Sequence, residues 1–302
     1  MTSRGVMKLM VGFYILLFFG YLFGPLLMMG TAAFNQSSIP AVTPWEGFTL
    51  RWFGQLVRDG QMIEGITNSL WIGLGVVCLS VPISLAASIM MTQIYERLQP
   101  YYYVIVVSPV LTPGVILGIS TLVFWDRLGT LAEAEYESIY YNGMWLTIVG
   151  QSTFISAYCM LVFLARLQRF DRTQEEAALD LGANHVQVFW KILIPFLRPA
   201  IFSAAVLAFL TSFENYNTTV FTIQAESTLT TVLAGKVRMG TQPDLSALAV
   251  IIIAITLVGA IVHEIMRRRE MAKEAAAKEL AARAENLEDM KLTTSPVAAA
   301  AS

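Results

Sequence analysis

The side chains able to do chemistry are few in this 302-residue sequence, and they do not assemble into a catalytic set. Histidine occurs only at His185 and His263, cysteine only at Cys78 and Cys159. A metal site draws several such ligands together, and His263-Glu264-Ile265-Met266-Arg267 lacks the second histidine of a zinc-protease helix. Both cysteines lie in apolar runs, where a thiol packs as a small hydrophobe. Ser120 and His263 are the pair an intramembrane serine protease would use. They fall toward opposite ends of their runs, whereas nucleophile and base must meet within hydrogen-bond reach. The phosphate loop Gly-x-x-x-x-Gly-Lys-Ser/Thr does not occur. What remains is the chemistry of charge and contact. Glu176-Ala177-Ala178, followed by Gly182 and Pro195, joins an acid to small residues that another surface could approach closely. Glu214-Asn215-Tyr216 puts a carboxylate, an amide and an aromatic ring at the end of an apolar run.

The elements that must carry these residues are set by composition. Hydrophobic residues make up 56% of the chain and charged residues 14%, against about a quarter charged in a soluble domain. Mean hydropathy is +0.60. Apolar runs cover Val11–Met29, Ser69–Met91, Tyr102–Trp125, Met144–Ala165, Ile194–Phe213 and Leu245–Val262. Each is roughly 18–24 residues and, apart from Arg198 at the start of the fifth, free of charge, as a helix crossing a bilayer must be. An all-α membrane protein with six transmembrane helices is expected. The first run exceeds the ~7–15 residues of a signal-peptide core and five more follow, so it is read as a retained helix. Six crossings put both termini on one side. Of 20 Lys and Arg, fifteen fall on that side, and Arg51, Arg58, Arg127, Lys236 and Arg238 on the other. Cytoplasmic segments carry the excess, so both termini are expected in the cytoplasm. The net charge of −2 gives no reason to expect nucleic acid as a partner.

The chain divides at this level into residues 1–65 (first helix and a long external segment), 66–266 (five helices) and 267–302 (a charged extension). Thr49–Leu56 mixes aromatic and charged residues as a short helix at the membrane surface does. The extension is rich in Glu, Lys and Ala, with too few apolar residues for a core. Pro25, Pro82, Pro109 and Pro113 should kink their helices.

The inside segment at about 171–195 has the sharpest local signals. Thr173 followed by Glu176 forms a capping-box pattern and starts a helix. Gly182-Ala183-Asn184 breaks it, glycine accepting the geometry other residues resist. A second short helix, with Val186, Phe189, Trp190 and Leu193 on one face, leads to Pro195 in the first turn of the fifth span. Such a helix–break–helix could pass a partner's motion into the bundle, with Glu176 meeting a basic residue of that partner. Glu176 could equally complete the capping box alone. His185 is a surface residue of the segment. At the other face, Glu214, Tyr216 and Asn217 form a set suited to ammonium groups, or Glu214 simply marks the water boundary. Asp126, Glu133, Glu135 and Glu137 form an acidic external connection that could steer a cation or could be merely solvated.

The inside segment resembles the EAA loop of binding-protein-dependent ABC transporter permeases, whose pattern is Glu-Ala-Ala, three residues, Gly, nine residues, Ile-x-Leu-Pro. Glu176-Ala177-Ala178, Gly182, Ile192 and Pro195 match it, with Ile194 in place of Leu. Ser212–Asn215, Thr228–Leu233 and Val237–Leu248 are similar to the spermidine/putrescine branch, although Glu214-Asn215 holds one acid where that branch has two and Thr231 stands where Pro is usual. The resemblance implies a type I ABC importer permease (MetI-like) bundle with cytoplasmic EAA coupling helices, in a bacterial inner membrane. It implies a polyamine as substrate, with amino-acid derivatives, opines or quaternary amines as alternatives, and a channel or secondary transporter as a remote one. The chain itself would bind no cofactor, ATP and Mg residing on a partner ATPase dimer. A second, homologous permease and an external substrate-binding protein complete the implied assembly. ATP binding would draw the two EAA segments together and turn the cavity outward.

Overall fold

The computed structural model describes residues 3–240, 242–259, 261, 264, 265 and 268. In chain order its helices are α1 (Ser3–Ala32), α2 (Arg51–Arg58), α3 (Gly60–Gln93), α4 (Gln99–Leu111), α5 (Gly114–Leu131), α6 (Gly143–Leu167), α7 (Thr173–Asp180), α8 (His185–Val188), α9 (Ile194–Phe213), α10 (Thr219–Thr222) and α11 (Leu229–Met239). A further apolar helix, α12, covers Pro243–Gly259. Among the described residues the only strand-like pairing is an isolated bridge, Asn35 to Phe48.

Among the described residues, five helical stretches are long and apolar enough to cross a membrane: Met7–Ala32, Gly60–Gln93, Gly114–Leu131, Gly143–Leu167 and His185–Phe213. The expected sixth, Leu245–Val262, begins in α12 and runs past the continuously described residues. The expected third, Tyr102–Trp125, is not one helix. It ends at Leu111 and restarts at Gly114. Pro113 lacks an N–H and disfavours helical backbone at the residue before it, and Thr112 accordingly takes φ −85° and ψ 129°. The kink expected at Pro113 is therefore a complete break, whereas Pro25, Pro82 and Pro109 lie inside helices. Of the 267–302 extension only Arg268 is described, its guanidinium donating to Glu264 one turn back. His263 also lies outside the described residues.

The chain forms two compact units, one from the segment up to Phe53 together with the segment from Pro243, the other Gly54–Gln242. In the first, Asn35 is fully buried and gathers its own loop. Its amide donates to the Ala41 and Pro44 carbonyls and its oxygen accepts from the Glu46 N–H. The buried Trp52 on the expected short helix donates its indole N–H to the Asn35 carbonyl at 2.7 Å. Ala33, Trp52 and Ala247 make the small core there.

The second unit is built on α3, α6 and α9. Ile72 and Val76, Ile155, Cys159 and Phe163, and Ala200, Ala204 and Ala208 form its core. The alanines recur every fourth residue, so α9 presents a smooth stripe and its backbone can come close, as packing inside a bilayer favours. The Cys159 Sγ lies 3.4 Å from the Ala204 carbonyl oxygen. Where α6 begins, a Cβ on Gly143 would stand 2.0 Å from the Ile223 carbonyl oxygen. Only glycine lets α6 start against the α10 segment.

Candidate functional site

The segment joining α6 to α9 is fastened at its root to three helices. The Arg166 guanidinium lies 4.2 Å from the Phe196 ring centroid and donates to the Phe196 carbonyl. Phe170 packs on the same ring, centroids 4.9 Å apart. Arg172 donates to the Thr92 carbonyl at the end of α3, 2.9 Å away. The segment is therefore tied to α3, α6 and α9 at once.

Helix α7 starts at Thr173 as expected, but by another device. Asp171 Oδ1 accepts from both the Thr173 N–H (3.0 Å) and its hydroxyl (2.8 Å), and Arg172 occupies the cap position without capping the helix through its side chain. The Thr173–Glu176 capping box is not formed, because Asp171 already engages the threonine hydroxyl. Glu176 is exposed, and among the described residues its carboxylate meets no partner. Ala177 is exposed and Ala178 half-buried beside it.

Gly182 ends the helix at φ +87°. The Ala183 N–H reaches back to the Ala178 carbonyl and the Gly182 N–H to the Leu179 carbonyl, the paired bonds of a Schellman stop. The capping box that does exist belongs to the next helix: Asn184 accepts from the Gln187 N–H at 2.8 Å, and Gln187 accepts from the Asn184 N–H at 2.9 Å. Asn184-x-x-Gln187 directly after the glycine is the signal in the sequence that points to it.

From His185 the chain is helical without a gap to Phe213. Residues Phe189–Leu193 form a π-turn, the Ile194 N–H bonding to the Phe189 carbonyl. This shift of register precedes Pro195, whose ring would otherwise press on the carbonyl four residues back. The apolar face expected of Val186, Phe189, Trp190 and Leu193 is split. Val188 and Leu193 are buried, while Val186 and Trp190 are 66% and 63% exposed. Leu181, at the break, is 90% exposed. Leu181, Ala178, Ala183 and Lys191 border a shallow hollow of about 430 Å³.

The second candidate group, Glu214-Asn215-Tyr216, does not act as one set. Glu214 caps α9 and is exposed, and its carboxylate has no partner among the described residues. The Asn215 side chain is spent locally: its oxygen accepts from the Thr218 N–H (3.1 Å) and the Thr219 hydroxyl (3.2 Å), fixing the turn into α10. The Tyr216 hydroxyl accepts from Arg238 at 3.1 Å. Behind this turn lies a buried polar network that hydropathy alone could not reveal. Gln151 donates to the Thr219 hydroxyl at 2.8 Å and accepts from Ser212, while Thr147 and Thr222 share a 2.9 Å bond. Asp59, capping α3 through the Met62 N–H, also accepts from the nearly buried Lys236 on α11. The Lys236 hydrogen bond holds the Asp59 carboxyl below its ordinary range, against the opposing effect of burial.

Residues 92–271 match the family described as binding-protein-dependent transport system inner membrane component. The putrescine transport system permease protein PotI of Escherichia coli (strain K12) is 32% identical over 259 residues, covering 85% of this chain and 90% of that protein. The spermidine/putrescine transport system permease protein PotC of the same strain is 24% identical over 262 residues, 86% of this chain and 95% of that one. In fold, the chain is similar to one in the crystal structure of a bacterial ABC transporter that imports the acidic polysaccharide alginate, with a TM-score of 0.66 at 21% identity over 87% of this chain and 95% of that chain. A chain of the alginate transporter in complex with its pentasaccharide-bound periplasmic protein gives a TM-score of 0.64 at 18% identity, over 85% and 92% of the two chains. The helical bundle, the match across residues 92–271 and the permease relatives converge: this chain belongs to the family of binding-protein-dependent transport system inner membrane components, and is a multi-pass permease subunit of an ABC importer.

Proposed function

We propose that this permease subunit carries a polyamine, putrescine or spermidine in type, across a bacterial inner membrane. The observation that carries the reading is the 32% identity to the putrescine permease PotI over 85% of the chain. On this reading α7 and α8 are the coupling element. Glu176 offers its unpartnered carboxylate to a basic residue of an ATPase, Ala177 and Ala178 allow close approach, and the exposed Leu181 supplies apolar contact. Gly182 holds the angle between the two helices, and Pro195 begins the span that moves with them. The working assembly comprises an ATPase dimer binding ATP and Mg, a second homologous permease, and an external binding protein, with both termini of this chain in the cytoplasm. Glu214 is the pathway residue, with Asn215 and Tyr216 shaping the turn around it.

The test is ATP hydrolysis by the reconstituted complex with its binding protein. Putrescine or spermidine should stimulate hydrolysis. Glu176→Lys should reduce the stimulated rate at least about tenfold, since reversing one partner of a docked ion pair is costly. Glu214→Gln should raise the substrate concentration needed and leave docking intact. Stimulation by an opine or a quaternary amine but by no polyamine would overturn the substrate. Undiminished stimulation in Glu176→Lys would overturn the coupling role.

A further inference from the structure

Beyond these residues the second unit contains a cavity of about 950 Å³, formed where the connection between α5 and α6 faces the segment after α10. Its lining includes three carboxylates, Asp126, Glu137 and Glu226, and no Lys, Arg or His. Among the described residues none of the three is in an ion pair; Glu226 accepts only a long 3.5 Å bond from Asn68. Tyr136, Tyr140 and Tyr141 also line it. The Tyr136 and Tyr141 rings stack with centroids 5.3 Å apart, and Tyr140 packs on Trp125 at 5.8 Å.

One lining residue, Ser138, has a buried hydroxyl without a hydrogen-bond partner among the described residues. Unsatisfied polar atoms are uncommon, and each calls for a reason. The three carboxylates are exposed and no cationic side chain stands beside them in the lining, so an ammonium ion can reach each of them. They do not come from one loop: Glu226 lies 89 positions beyond Glu137 and 100 beyond Asp126, brought in by packing of α10 against α5 and α6.

We propose that this cavity is a binding site for linear aliphatic amines with two or more ammonium groups. It is a receiving station on the permease itself, distinct from Glu214. Carboxylates take the ammonium heads, tyrosine faces add cation–π attraction, and Leu122 and Phe221 accept the methylene stem. The inference deepens the polyamine reading and rests on it for the natural ligand. Of the acidic connection, Asp126 and Glu137 line the cavity and Glu133 and Glu135 do not.

The experiment is equilibrium binding of radiolabelled putrescine to the permease–ATPase complex in nanodiscs, without binding protein or nucleotide. Import into proteoliposomes with binding protein is measured in parallel. Wild type should bind saturably, with competition by spermidine and by salt but not by the uncharged 1,4-butanediol. Asp126→Asn with Glu137→Gln should weaken binding at least about tenfold, as loss of charge-assisted contacts does. Glu137→Asp should retain most of it. Glu226→Gln, alone, provides an independent variant should the double one fail to assemble. Wild-type affinity in the Asp126→Asn/Glu137→Gln double variant and in Glu226→Gln, or equal competition by 1,4-butanediol, overturns the site. Failure of wild type to import putrescine overturns the polyamine reading instead. Import without any cavity-dependent binding sinks the site and leaves that reading standing.

Discussion

Gln151 sits in the middle of α6 with its amide shielded from both water and lipid, accepting from Ser212 and donating to Thr219. Thr219 passes the chain on to the Asn215 carbonyl at 2.8 Å. Replacing Gln151 by Leu would break both bonds at once and leave the Ser212 hydroxyl without its acceptor in a dry core. The expected cost is about 1–3 kcal/mol, read as a lower unfolding temperature of the detergent-solubilised complex; an unchanged temperature would mean the network is dispensable. Asp59 and Lys236 give a second residue-scale prediction. The Asp59 carboxyl titrates below its ordinary value in the folded chain. Its stabilisation is therefore complete above the ordinary aspartate value and fades only as pH falls through the lower, folded one. Between about pH 5 and 8 the pair should contribute a constant amount. Asp59→Asn should lower stability by about 1–3 kcal/mol throughout that window, and the difference from wild type should shrink only in stronger acid. A difference that grew toward acid would refute the assignment.

At the scale of elements, the lever formed by α7 and α8 depends on the backbone at Gly182. A Cβ there would meet open space, so the objection to any other residue is the φ of +87° alone. Gly182→Val should thus disfavour the break without disturbing the packing of α3, α6 and α9. A β-branched residue at positive φ costs about 1–2 kcal/mol or more. We expect complex assembly to weaken and substrate-stimulated hydrolysis to fall severalfold, with Gly182→Asn milder because Asn tolerates this region. Equal activity of the Val variant would show that the angle between α7 and α8 does not matter. This element was legible in the sequence because its break rests on one residue type with one conformational property. Its start at Thr173 is legible too, but not its device: Thr173 and Glu176 fit a capping box, yet Asp171, two residues earlier, takes the threonine hydroxyl. The third span differs from its sequence expectation for a related reason. Hydropathy records Tyr102–Trp125 as one run, yet it is insensitive to the missing N–H of Pro113 that divides α4 from α5.

At the scale of the bundle, what the sequence hides is whatever distant segments assemble: Lys236 reaches Asp59 across 177 positions, and Glu226 joins Asp126 and Glu137 in one cavity. Helix α6 orders these sites. It begins at Gly143, which lines the acidic cavity, and ends at Leu167, beside the root of the lever. Its 25 residues at about 1.5 Å each put the two sites roughly 37 Å apart along the helix, more than the thickness of a hydrocarbon core. Both proposals therefore require the cavity and the lever to face opposite compartments, the cavity outside, as the excess of Lys and Arg on the lever's side implies. Single cysteines test this in a background with Cys78 and Cys159 replaced by alanine. Glu135→Cys, on the acidic connection, should react with a membrane-impermeant maleimide in intact cells. Asp180→Cys, at the exposed end of α7, should react only after the membrane is permeabilised. The reverse pattern would put the lever outside, where no ATP-hydrolysing partner could reach it. Labelling of both in intact cells would mean that α6 does not cross the membrane, and the coupling and receiving roles would fall together.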